Sequence, residues 1–277
     1  MARVAYYYDS SKCVGCHGCQ ITCKQWNQEK TVKTHFKTGY GNPPVLDPDT
    51  RMIMKYFEGI ENPTNPVNLN FLKYQCFHCG DPACVKVCPS GCLSKTANGI
   101  VAVDQEKCIA CGYCHSACPF NIPMIGKNVN KCDMCRSRVE QGNDQDHTST
   151  PACVKTCPAH AMEFGDRDAM LAKANKRVEW LKSRGHKDAN VYGATALGGL
   201  GIIPVLKYKP EHYGLPANPT VAAELTVWKD IFNPLGLLML AGAFGMTVVH
   251  RLMQRGGDDS HSSHSDSSDS GKEDMKG

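Results

Sequence analysis

The hydrophobic and polar positions of this chain change period several times, and each change marks a predicted element. The run Arg3-Val-Ala-Tyr-Tyr-Tyr8 predicts a short strand, and Gly99-Ile-Val-Ala-Val-Asp104 predicts a second. Between them, Met52 to Glu58 and Val67 to Tyr74 alternate apolar with polar around the turn-forming Glu61-Asn-Pro-Thr-Asn-Pro66, the pattern of a hairpin. Ala161-Met-Glu-Phe164 predicts a further strand. Asp166 then caps a helix whose Met170, Leu171, Ala174, Val178 and Leu181 share one face. Lys182, Arg184 and Gly185 end that helix. Residues 190 to 220 are rich in Gly and Pro and predict either an irregular segment packed on a partner or a linker.

A different pattern begins at Ile231. From there to Val249 no side chain is charged over 19 residues, about 28 Å as a helix against the ~30 Å hydrocarbon core of a bilayer. The expectation is one transmembrane helix over 229–253, with Trp228 at the interface and Ala241 and Gly245 at small-xxx-small spacing. A disordered tail rich in Ser, Asp and His is expected over 254–277. Arg251 and Arg255 follow the span and only Lys229 closely precedes it, which would put the tail in the cytoplasm and the rest of the chain on the other face. The N-terminal sequence has no apolar signal core, so export would depend on a signal carried by a partner.

Chemistry enters with the cysteines. Sixteen of the 17 fall into four groups: Cys13, Cys16, Cys19 and Cys23; Cys76, Cys79, Cys84 and Cys88; Cys108, Cys111, Cys114 and Cys118; Cys132, Cys135, Cys153 and Cys157. Three groups close with Cys-Pro, and only Cys92 is left over, expected as a structural thiol. Pro82-Ala-Cys-Val-Lys-Val-Cys-Pro89 returns as Pro151-Ala-Cys-Val-Lys-Thr-Cys-Pro158. Groups one and three share one spacing and groups two and four a stretched variant, so the chain reads as a duplicated unit.

A cubane needs four thiolates around a compact core. In two-cluster ferredoxins a C-x2-C-x2-C-x3-C-P run gives three cysteines to one cluster and its last to the other. Cys108, Cys111, Cys114, Cys118 and Pro119 follow that run without deviation. The expected cofactors are four [4Fe-4S] clusters held by all sixteen cysteines. Spacing leaves the pairing open: groups one with two and three with four, or a nested order.

Zinc is the competing metal, since Cys76-x2-Cys79 and Cys132-x2-Cys135 alone would suit a zinc ribbon. A ribbon has no use for a third cysteine two residues on, nor for C-x3-C-P. A disulfide scaffold is disfavoured because such chains are generally shorter and lack these runs. His17, His78 and His115 lie beside ligands but are expected at the surface or as hydrogen-bonding tuners. Lys12, Lys107 and Lys131 each precede a group's first cysteine, where a cation would favour the reduced cluster and where a solvated lysine is equally natural.

Charge changes the picture less than its sign suggests. The formal +4 counts every cysteine as neutral, and sixteen thiolates around four cores of +2 bring the loaded chain to about −4. Neither this balance nor any basic run with interleaved aromatics supports nucleic-acid binding. No phosphate-cradling Gly loop, His-Glu-x-x-His or nucleophile-base pair occurs, so the chain is expected to be non-catalytic.

Beyond the cysteines, the chain carries Trp26-Asn27 after Cys23, Asn98-Gly-Ile-Val101, Cys118-Pro-Phe-Asn-Ile-Pro123, Tyr213-Gly-Leu-Pro216, Val227-Trp-Lys229, Pro234-Leu235 and His250. In these it resembles, over nearly its full length, the iron-sulfur beta subunits of membrane-bound respiratory formate dehydrogenases, within the four-cluster subunits that partner molybdopterin enzymes. The resemblance implies nested pairing. Cys13, Cys16, Cys19 and Cys157 would hold one cluster and Cys132, Cys135, Cys153 and Cys23 its neighbour. Cys76, Cys79, Cys84 and Cys118 would hold a third, and Cys108, Cys111, Cys114 and Cys88 the fourth. Lys24 stands where the family usually has proline, and Cys92 is not a family ligand.

The implied fold is α+β: two nested ferredoxin-like units with short strands and helices plus the C-terminal span. Residues 1–70 with 126–165 would form the outer unit, 71–125 an inserted unit, and 166–228 a helix and membrane-proximal segment. The implied partners are a molybdopterin catalytic alpha subunit that oxidises formate at molybdenum or tungsten, and a cytochrome b gamma subunit that reduces quinone. His250 would lie at the cytoplasmic end of the span, near the cytochrome or simply at the interface. The same wire could serve a nickel-iron hydrogenase or another molybdopterin oxidoreductase. The alternative of another class is a zinc-bound structural module.

Overall fold

The computed structural model describes residues 2–33, 40–58, 68–141, 149–221 and 233–258. Two units are distinct, Met1–Ala222 and Ala223–Gly277. The strands are β1 (Val4–Asp9), β2 (Met52–Phe57), β3 (Asn70–Gln75), β4 (Leu93–Lys95), β5 (Val101–Val103), β6 (Met124–Ile125), β7 (Val129–Asn130), β8 (Met162–Asp166), β9 (Asn190–Val191) and β10 (Ile202–Leu206). The helices are α1 (Gly18–Trp26), α2 (Ala83–Lys86), α3 (Tyr113–Ser116), α4 (Arg136–Gln141), α5 (Ala152–Lys155), α6 (Arg167–Ser183) and α7 (Asn233–Asp258).

Within Met1–Ala222 a four-stranded sheet runs in the order β8-β1-β10-β9. β1 pairs antiparallel with β8 and parallel with β10, Tyr6 standing opposite Ile202. Both central strands are buried on both faces. Ala5, Tyr7, Ile203 and Val205 pack against Ala174, Val178 and Leu181 of α6. Tyr6, Tyr8, Ile202 and Leu206 face the layer that contains Cys19, Cys23, Cys132 and Cys153. The sheet therefore separates an ordinary apolar layer from a cysteine-bearing one.

The predicted helix is present, and its cap is explicit: the Asp166 carboxylate accepts from the amides of Asp168 at 2.9 Å and Ala169 at 3.3 Å, satisfying donors that the first helical turn leaves orphaned. The predicted hairpin is also present, with β2 and β3 antiparallel from Met52 opposite Gln75 to Phe57 opposite Asn70. Its turn, residues 61–66, lies outside the described residues. Two ribbons, β4-β5 and β6-β7, form separate two-stranded sheets.

One expectation needs correction and another is not supported. Residues 190 to 220 are not irregular, because they supply β9 and the central strand β10, all five of whose residues are buried. Pro204, which cannot donate to a ladder, and the glycines at 198, 199 and 201 concealed it. Nor do the described residues support the span of 229–253: no helix among them is long and apolar enough to cross a membrane. α7 is described over Asn233–Asp258, and the expected span's residues 229–232 lie outside the described residues. Its described apolar side chains are exposed, Leu238, Phe244 and Met246 at 70–76%. Trp228, Lys229 and the tail beyond 258 lie outside the described residues.

Candidate iron-sulfur centres

The four cysteine groups share one local geometry. The third cysteine of each sits on a helix: Cys19 on α1, Cys84 on α2, Cys114 on α3 and Cys153 on α5. In three groups the helix is only four residues long and stops before the fourth cysteine. The proline after that cysteine disfavours helical backbone in the residue before it. Lys24 removes that stop in the first group, so α1 runs on for nine residues and carries Cys23 within it.

The residue before the second cysteine is left-handed in every group: Gly15 at φ 64°, His78 at 50°, Ala110 at 54° and Met134 at 58°. Three of these four are not glycine. A side chain there is strained by about 1–3 kcal/mol and persists only where the surroundings demand that turn. Such turns point successive amides inward and make a cradle for anionic groups.

The fold then gathers cysteines from different groups. Cys13, Cys16, Cys19 and Cys157 line one cavity together with Tyr8 and Met54. Cys88, Cys108, Cys111 and Cys114 line another, with Cys92 at its wall. The remaining sets are recognised by the charge each cysteine feels. Burial pushes the Cys23 thiol up to about 12, with Cys153 and Cys135 as neighbouring contributors. Burial, then Cys76, pushes Cys84 up to about 12, and Cys118 adds to it. Cys79 is raised by burial and then by Cys76, Cys118 and Cys84. Thus Cys157 lies with the first group, Cys23 with the fourth, Cys118 with the second and Cys88 with the third.

The donor sets fit [4Fe-4S] clusters. Each holds four soft thiol ligands, and backbone amides point at several of them: Val129 donates to Cys108 Sγ at 3.2 Å, Ala161 to Cys157 Sγ at 3.3 Å and Met134 to Cys132 Sγ at 3.3 Å. Among the described residues no group of three or more His, Cys, Asp or Glu could hold a single metal ion. The raised thiols are protonated at neutral pH unless a metal binds them, so loading must release protons.

The same pattern recurs in known proteins. A family model for the 4Fe-4S dicluster domain matches residues 67–167, and one for a 4Fe-4S binding domain matches residues 10–27. The iron-sulfur subunit of the nitrate-inducible formate dehydrogenase of Escherichia coli K12 is 39% identical over 90% of this chain and 84% of its own length. The chain belongs to the formate dehydrogenase iron-sulfur subunits.

Other relatives of this iron-sulfur subunit are shorter matches. The beta subunit of formate dehydrogenase 2 (cytochrome c-553) of Nitratidesulfovibrio vulgaris is 35% identical over 76% of this chain and 95% of its own length. A subunit of the anaerobic dimethyl sulfoxide reductase of Escherichia coli K12 is 36% identical over 62% of this chain and 77% of its own length. The subunit is thus a non-catalytic electron-transfer component, with 4Fe-4S clusters as its cofactors and a catalytic subunit as its partner.

The histidines divide. His78 is fully buried, its Nδ1 accepting from the Val101 amide at 3.1 Å. His17 pairs with Gln20 and Tyr56, and His115 with the Pro123 carbonyl at 2.8 Å. The lysines divide too. Lys107 is exposed and ion-paired with Asp104, and Lys12 is exposed, but Lys131 is only 1% exposed and donates to the carbonyls of Val101 at 2.5 Å and Cys132 at 3.0 Å. Sequence reasoning missed Lys73, buried at 3% exposure beside the cysteine layer. Its place in an alternating strand gave no sign of that burial.

Proposed function

We propose that this chain is the wire of a membrane-associated formate dehydrogenase, carrying four [4Fe-4S] clusters in the nested sets described above. It would receive electrons from a catalytic subunit that oxidises formate at a molybdopterin-bound molybdenum or tungsten. It would deliver them to a cytochrome b that reduces quinone. Bound in these sets, [4Fe-4S] clusters supply one-electron carriers whose potentials follow net charge, hydrogen bonding and exposure. The protein's own part is to space the sets, bury them and aim amides at their sulfurs. The observation that carries this reading is the gathering of one cysteine from each group into another group's set, the exchange that links paired clusters in ferredoxins.

The length of the match supports formate dehydrogenase over other molybdoenzymes. The tenth of the chain left unmatched by the Escherichia coli formate dehydrogenase subunit is shorter than the stretch from Asn233 to Gly277, so that match reaches into α7. We place the subunit at the outer face of the cytoplasmic membrane, with the exposed apolar side chains of α7 packed against the apolar helices of the cytochrome. The identity to the dimethyl sulfoxide reductase subunit favours one second reading, service to a different molybdopterin oxidoreductase.

This chain should account for about 16 iron atoms per copy, as four cubanes require, in addition to the haem iron of the cytochrome, and the purified complex should reduce a quinone on addition of formate. A loaded complex without formate-dependent quinone reduction would sink the substrate assignment. Co-purification with a large subunit for another substrate would establish the second reading.

A further inference from the structure

Lys73 is a buried cation without an anionic side-chain partner. It projects from β3 into the cysteine layer at 3% exposure. Its Nζ donates to Tyr6 Oη at 2.7 Å and Gln75 Oε1 at 2.5 Å, both neutral acceptors, and lies 4.8 Å from the Tyr6 ring centroid. Among the described residues no carboxylate comes within 4.0 Å of it. Burying an ammonium among neutral groups is strongly unfavourable unless a counter-charge lies close.

The groups that would supply a counter-charge once a cluster is bound are cysteines from two sets, which pack in one core cluster with Tyr6, the acceptor of Lys73. Cys153, Cys132 and Cys23 belong to one and Cys19 to the other, and Lys73 reaches that layer through its hydrogen bond to Tyr6 Oη at 2.7 Å. Tyr6, which accepts from Lys73, faces the same four cysteines. Lys131 occupies a comparable place further along, buried beside Cys84 and Cys118. The set of Cys88, Cys108, Cys111 and Cys114 has no such buried lysine among the described residues, since Lys107 beside it is exposed and paired with Asp104.

We propose that Lys73 is a positioning residue for electron flow: a fixed internal cation that raises the reduction potential of the two sets it faces, those of Cys13 and Cys132. The physical basis is that reduction adds one negative charge to a site, and a cation held in a low-dielectric interior stabilises that charge far more than one in water. Lys131 does the same for the set of Cys76, and the set of Cys108 is left at lower potential. The wire is thereby graded by its own side chains. This rests on the four-cluster reading above.

The test is a redox titration of the purified complex, followed by electron paramagnetic resonance, for wild type, K73M, K73Q and K73R. In a loaded neutral variant, the two affected clusters should become at least tenfold harder to reduce, a fall of about 59 mV for a one-electron couple, and K73R should restore them. K131M should shift a different cluster. Neutral variants that fail to load iron while K73R loads fully would also support the charge. Unchanged potentials in a loaded K73M or K73Q, or failure of K73R alongside the neutral variants, would overturn it. A wild-type complex without four cluster signals would overturn the four-cluster reading itself, before any variant is compared.

Discussion

The two sides of this molecule are held together by different chemistry. The layer between α6 and the sheet buries Ala5, Tyr7, Ala174, Val178, Leu181, Ala189, Ile203 and Val205, with no cysteine among them. The small core around the β4-β5 and β6-β7 ribbons consists of Cys84, Cys92, Leu93, Val101, Cys114 and Val129, half of it cysteine. The first is an ordinary hydrophobic core, worth about 1.5–3 kcal/mol for each fully buried large aliphatic side chain. The second, spread over short ribbons and four-residue helices, is too small to fold by burial alone, and metal binding must supply the difference. The sheet supports both by holding β10 against the second group's loop, where Gly201 donates to the carbonyls of Phe77 at 3.0 Å and His78 at 2.9 Å.

Removing the iron should separate the two sides most widely. Anaerobic chelation followed by hydrogen exchange should strip protection from the β4-β5 and β6-β7 ribbons while the amides of α6 and β10 stay protected. Simultaneous loss on both sides would mean that the apolar layer has no independent stability.

The next largest effect concerns the cysteine exchange beside these ribbons. Cys88→Ala and Cys111→Ala should each cost about four iron atoms, one cubane, and the double variant no more than either alone. A double variant that loses about eight would place these cysteines on separate clusters.

On the apolar side the effects should be smaller and leave the metal alone. Leu181→Ala, at a residue 2% exposed, should cost about 2–5 kcal/mol, seen as a lower anaerobic melting temperature with unchanged iron content. Smallest is Asp166→Ala, which removes the cap of α6 and should cost about 1 kcal/mol in the same measurement. Loss of iron from either variant would show that the two layers are coupled more tightly than their composition implies.

Legibility followed how local each signal was. The hairpin of β2 and β3, the strand β1 and the face of α6 were readable because period and capping are properties of neighbouring residues. β10 was not, because a strand buried on both faces has no alternation and Pro204 argues against a ladder. The apolar run after Ile231 showed a helix, but no helix among the described residues is long and apolar enough to cross a bilayer. Lys73 was invisible for a related reason: Asn70-Phe-Leu-Lys-Tyr-Gln75 reads as one more half-exposed strand.

The order of residues carries the chemistry: sixteen cysteines in four repeating groups with iron-sulfur spacing, and a proline after the fourth cysteine in the three groups whose helices are four residues long. Spacing left the pairing open, and the fold brings Cys13 and Cys157 into one cavity through the pairing of β1 with β8, elements far apart in the chain. The fold also decided which lysines matter. A charge acts on a redox centre through distance and burial, and neither is written in the order of the residues.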